Sequence, residues 1–185
     1  MHAAARKRSG LQLKKESSLR LGVITALLGA LIFIVTAYVL HIPTPATGGY
    51  IHLGDAFAYI AASLLPTPYA VAAAGIGEGL SDALTGSIAY APFTFVIKAV
   101  MALFFTSSGE TIITKRNTAA SAAAGVICIG GYYLTEVFML HSFVSPVAEI
   151  PGNTIQAAAS AVVYLILGHA LDGAKLKKSV AAFVK

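Results

Sequence analysis

Charge is what this 185-residue chain has least of. Only 11% of its residues are charged and 57% are hydrophobic, whereas a soluble domain carries about 25% charged residues. Cysteine is nearly absent as well: Cys128 stands alone, which excludes an intrachain disulfide and makes a cysteine metal cluster improbable on chemical grounds. Cys128 lies among Val126, Ile127 and Ile129, so it reads as a core or lipid-facing residue. Catalytic motifs are missing too. The chain has no Gly-x-x-x-x-Gly-Lys-Ser/Thr phosphate loop, no His-Glu-x-x-His zinc motif and no Gly-x-Ser-x-Gly nucleophile elbow. These gaps argue against ATP hydrolysis by the chain itself and against an enzyme, and no cofactor or metal is expected. The net charge of +5 does not imply nucleic acid, because the basic residues flank apolar runs without interleaved aromatics.

What remains, at a mean hydropathy of +0.77, is the composition of a polytopic membrane protein. Residues 1–20 carry Arg6, Lys7, Arg8, Lys14, Lys15 and Arg20. This resembles the start of a signal peptide, but the apolar run Leu21 to Leu40 has full spanning length and no small-residue cleavage site at its end. It reads as a first transmembrane helix behind a basic cytoplasmic tail. The stretch from His41 to Gly49, with two prolines and two glycines, is expected as a loop. Five further spans follow: about Tyr50 to Leu65, Tyr69 to Leu84, Ile88 to Phe105, Ala119 to Leu140, and Gly152 to Leu171. Spans two and three are short and polar. The expected architecture is all-α, with six transmembrane helices over residues 21–172, a basic tail at 173–185, and both termini cytoplasmic.

The positive charges support that topology. Of the 13 Lys and Arg residues, all but Lys98 fall in the first tail, in the 106–118 loop (Lys115, Arg116) or in the last tail (Lys175, Lys177, Lys178, Lys185). The loops assigned to the outside hold none, which is the positive-inside asymmetry.

Lys98 is the organising anomaly. It stands in the middle of span four, within Tyr90-Ala-Pro-Phe-Thr-Phe-Val-Ile-Lys98. A lysine at that depth costs at least about 2.5 kcal/mol on lenient insertion scales, so it must face a bundle interior or a wet cavity and find an anionic partner. The topology assigns a depth to each polar group. His52, Asp55, Glu78, Asp82, Tyr90, Tyr132, Tyr133, Glu136, Asn153 and Gln156 all fall in the outer half. Glu78 and Asp82 share a face, as do Asn153 and Gln156. His169 alone lies near the inner end. A channel or proton path needs polar groups along the whole crossing, whereas a pocket open to one side needs them at one depth.

Bland readings exist for several of these residues. Asp55, Glu78 and Asp82 can serve as structural partners of Lys98. His52 can tether a loop, Tyr132 and Tyr133 can form an interfacial aromatic belt, and Asn153 can cap a helix. Lys98 and Glu136 are the hardest to explain without a function. Small residues supply a second signal: Gly22, Ala26 and Ala30 recur at every fourth position of span one, as do Gly75 and Gly79 on span three, and such stripes let helices approach closely. The first stripe lies in the inner half, away from the polar groups, and is free to dock another membrane protein.

Three stretches together resemble a known family: Gly49-Tyr-Ile-His-Leu-Gly-Asp-Ala56, Tyr90 to Lys98, and Ile150-Pro-Gly-Asn-Thr-Ile-Gln156. With the Ala26/Ala30 repeat, they resemble the S components of energy-coupling factor (ECF) vitamin transporters, in the group that contains riboflavin, pantothenate and hydroxymethylpyrimidine S components. The resemblance covers about residues 20–172. It implies a six-helix protein of the bacterial plasma membrane that captures a vitamin or precursor on its outer side. The partners it implies are a transmembrane T component, contacted through Ala26 and Ala30, and two cytoplasmic ATPase subunits. Lys98, Glu136, Asn153, Gln156, Tyr90, Tyr132, Tyr133, His52 and Asp55 are the expected substrate-binding residues; pantothenate, a pyrimidine or pyridoxine-like ring, and riboflavin all remain open. The alternatives are a stand-alone secondary transporter, an intramembrane enzyme using Glu78 and Asp82, and a scaffold, which would leave Lys98 unexplained.

Overall fold

The computed structural model describes residues 2–44 and 49–184, with side chains from Glu16 onward. The chain is mostly helical: α1 (His2–Tyr38), α2 (Gly54–Leu64), α3 (Thr67–Leu84), α4 (Ala91–Leu103), α5 (Lys115–Leu140), α6 (Ile150–Gly173) and α7 (Leu176–Val184). A short 3-10 turn, Ser145–Glu149, leads into α6. Two three-residue strands, β1 (Ile42–Thr44) and β2 (Gly49–Ile51), form an antiparallel hairpin in which Pro43 faces Tyr50. The expected loop after span one is therefore partly a hairpin, and the helix of span two begins at Gly54 rather than near Tyr50. Proline is tolerated in β1 because a two-stranded ribbon has only edge strands.

Both tails are helical over their described residues. The backbone is helical from His2 into α1, although the side chains of Arg6, Lys7, Arg8, Lys14 and Lys15 lie outside the described residues. At the other end α7 folds back on α1: Arg20 Nη1 donates to the Phe183 carbonyl at 2.9 Å, and the guanidinium lies 5.7 Å from the Phe183 ring centre. Lys177 Nζ donates to the Thr111 carbonyl at 2.9 Å. Burial pushes this ammonium below the usual lysine range, and nearby Asp172 opposes the shift.

The surface is greasy and the interior polar, the reverse of a soluble domain. Leu27, Val126, Phe138 and Ile166 are each about two-thirds exposed, while Asp55, Glu78, Lys98 and Gln156 are buried. Hydrocarbon accepts such a surface, and charged groups turn inward to one another. Among the described residues, three segments are long and apolar enough to cross a membrane: Glu16–Tyr38, Lys115–Leu140 and Ser145–Gly173. Helix α4 is apolar but shorter. Helix α2 has 11 residues, nearly all buried. Walled by α1, α3 and α6, it meets protein on its flanks and needs no lipid-length apolar run.

Small residues set the helix spacing. At Gly77 an added Cβ would come within 2.8 Å of the Gly29 carbonyl, so α1 and α3 touch backbone to backbone. Gly75 and Gly79 face α4 instead, against Phe95 and the Ala91 carbonyl. The bundle has two different ends. One carries the hairpin, the α3–α4 turn and the 141–149 segment. The other carries the 104–114 loop and α7.

Candidate functional site

Helix α4 delivers Lys98 into the middle of the bundle, where it is 1% exposed. Its Nζ donates to Asp55 Oδ1 of α2 at 2.6 Å and lies 3.1 Å from Glu78 Oε2 of α3. The second contact is an ion pair off the hydrogen-bond direction, and neither Glu78 oxygen has a hydrogen-bond partner among the described residues. Gln156 of α6 completes the cluster: its Nε2 donates to Asp55 Oδ2 at 2.9 Å, while its Oε1 accepts the His52 backbone N–H at 3.0 Å. Cys128 Sγ is 3.7 Å from Lys98 Nζ, and His52 Nε2 is 3.6 Å from Glu78 Oε2. Ligand atoms of His52, Asp55 and Glu78 lie close enough to hold a metal ion. The ammonium of Lys98 already fills that role, bridging both carboxylates, and a divalent ion would have to displace it.

Above this cluster, at the hairpin end, lies a pocket. Its lining includes Thr44, Gly49, Tyr50, His52, Asp82, Ser87, Tyr90, Tyr132, Glu136, Glu149 and Asn153. Its free volume of about 30 Å³ holds roughly one water molecule. The hairpin is the roof. Tyr50 stacks on His41 with ring centres 3.8 Å apart, and its hydroxyl donates to Asp82 Oδ1 at 2.6 Å. The tight entry into α2 needs Gly54, because a Cβ there would collide with the Thr36 hydroxyl. Tyr132 joins the two layers: Lys98 Nζ lies 5.2 Å from its ring centre, and Thr94 Oγ1 lies 3.1 Å from its hydroxyl.

The expected substrate-binding residues therefore divide. His52, Tyr90, Tyr132, Glu136 and Asn153 line the pocket. Lys98, Asp55 and Gln156 lie beneath it in the ion cluster. Tyr133 lies aside, donating to the Phe143 carbonyl at 3.0 Å and so fastening the segment after α5. Asn153 is not the cap of α6, which starts earlier, at Ile150; its side chain turns into the pocket instead. The sequence reading did not select Tyr50 or Glu149 as site residues. Glu149 had a signal, an acidic residue one turn before Asn153, but it fell in a stretch read as loop.

In the far half the interior is neutral, and charged groups return at its rim, where Asp172 accepts the Ile112 and Ile113 backbone N–H groups at 2.6 and 2.9 Å. Tyr59, Phe105 and Tyr164 pack their rings 5.0 to 5.8 Å apart, and the Tyr164 hydroxyl bonds to Ser63 and to the Ile112 carbonyl. His169 is exposed and pairs with the Leu165 carbonyl of its own helix. Ala26 and Ala30 are exposed on α1. With Gly22, Gly29 and Ile76 they line a mainly apolar groove of about 460 Å³ between α1 and α3.

Comparison with known proteins adds two findings. Residues 16–173 match the family described as "ECF-type riboflavin transporter, S component". A protein of Pyrococcus woesei, described as an uncharacterized protein in gap 3'region, is 29% identical over 139 residues, covering 74% of this chain and 92% of its own length.

Proposed function

Because this chain belongs to the ECF-type riboflavin transporter S component family, a family of multi-pass proteins of the cell membrane, we propose that it is the substrate-capture subunit of a vitamin importer. In this reading the six helices α1 to α6 all cross the membrane. The hairpin end faces outward and the basic end inward, in keeping with the positive-inside rule. The substrate is a small water-soluble vitamin or precursor bound among Tyr90, Tyr132, Glu136 and Asn153. Lys98, Asp55 and Gln156 act from below, holding Tyr132 and the base of the hairpin in place. Ligand pockets of this kind measure about 300 Å³ or more, so the hairpin must lift for a vitamin to enter. Ala26 and Ala30 are the docking face for a T component, and two ATPases supply the energy.

One observation carries this reading: polar and titratable groups gather at a single depth, over a far half sealed by aromatic rings. That layout suits a cup with a lid. It does not suit a carrier working alone, which needs polar groups down to the other side. The deciding experiment has two parts. Small molecules carried through purification are identified by mass spectrometry, and uptake is measured in proteoliposomes with and without a T component and ATPases. The reading expects a vitamin-like ligand and uptake only with the full assembly. Uptake by the chain alone would sink it.

A further inference from the structure

The pocket has a charge preference. Its lining brings together three carboxylates, Asp82, Glu136 and Glu149, and contains no Lys or Arg among the described residues. The buried ammonium of Lys98 is held below by Asp55 and Glu78 and is not available to neutralise them. Asp82 is already engaged by Tyr50. Glu136 differs: it is 3% exposed, and its Oε2 has no hydrogen-bond partner among the described residues. Glu149, 7% exposed, lines the same pocket. A buried carboxylate oxygen left unpaired is costly, and a second carboxylate nearby adds repulsion. Both costs disappear when a donor-bearing cation enters. The remaining walls are aromatic, from Tyr50, Tyr90 and Tyr132, and the faces of such rings attract cations and flat heterocycles.

We infer that the ligand is a planar, donor-rich, cationic nitrogen heterocycle, its charged edge set against Glu136 and Glu149 and its ring between the tyrosines. Anionic vitamins are disfavoured, because a carboxylate substrate would add a fourth negative group with no cation to receive it. A neutral flat ring gains the stacking without the ion pair. Hydrogen bonds to charged groups are worth up to about twice those between neutral ones, so the preference for a cation over a neutral ring should reach about tenfold in affinity.

This inference rests on the substrate-capture reading, and the test separates the two. The full chain in lipid nanodiscs is titrated by calorimetry with 4-amino-2-methylpyrimidine, thiamin, riboflavin and pantothenate. The expected order places thiamin or the aminopyrimidine about tenfold tighter than riboflavin, with pantothenate weakest. Glu136→Gln keeps the shape and removes the charge. It should weaken thiamin by about tenfold and weaken riboflavin, which forms no ion pair there, by much less. Glu149→Gln provides a second variant should the first fail to fold. Tight binding of riboflavin or pantothenate without the cations overturns the charge inference and leaves the capture reading standing, as does wild-type thiamin affinity in both variants. If none of the four probes binds, the charge inference falls, and the capture reading is decided by the uptake measurement.

Discussion

Lys98 is the residue on which the interior depends, and its removal should be felt first as instability. Taking away one member of a buried ion pair typically costs about 3–5 kcal/mol, because the partner is left charged and unpaired. Lys98→Met leaves Asp55 and Glu78 facing each other, so its melting temperature in detergent should fall markedly. Adding Asp55→Asn and Glu78→Gln to that variant should recover a large part of the loss, since three neutral groups replace two stranded charges. A triple variant no more stable than Lys98→Met would contradict the cluster as drawn. Tyr50 makes a different kind of contact. Tyr50→Phe removes the hydroxyl that donates to Asp82 and loosens the roof without disturbing the cluster. Stopped-flow binding should then show faster association and faster release.

At the scale of elements, the sequence revealed more about the long helices than about what joins them. Apolar runs of spanning length fixed α1, α5 and α6 because lipid enforces both length and composition. The short α2 obeyed no such rule, because it is buried in protein on nearly every face, and its start was misplaced by several residues. The hairpin was illegible for a related reason: three-residue strands carry too little pattern to be told from loop. The small-residue stripe of α3 was noticed through Gly75 and Gly79, yet the backbone contact with α1 is made at Gly77, and periodicity alone could not say which face meets which helix. Gly77→Val tests that contact. The new side chain must push α1 away from α3, at a cost of about 1–3 kcal/mol. It should also distort the groove beside Ala26 and Ala30. Thermal melting checks the first effect, and co-purification with a T component checks the second.

For the whole molecule, the asymmetry of charge makes a topological prediction. Cys128 is fully buried, so the native thiol should resist membrane-impermeant maleimides in intact cells. Ser145→Cys, at the hairpin end, should label from outside. Ser108→Cys, on the exposed 104–114 loop, should label only after permeabilisation. The reverse pattern would turn the proposed orientation over. The depth of the polar groups was legible from sequence because charge cannot be spread at random through hydrocarbon. The split between a pocket layer and a cluster layer was not, because Lys98 and Glu136 are both acidic-or-basic residues at neighbouring depths, and only the packing of α2 shows which of them is already paired.

The position of Tyr132, resting over the Lys98 ammonium while its ring borders the cavity, has an optical consequence. The chain contains no tryptophan, so its ultraviolet emission comes from its eight tyrosines, Tyr132 among them. A guest touching that ring would alter the ultraviolet fluorescence directly, giving a label-free readout of filling and emptying in unmodified protein.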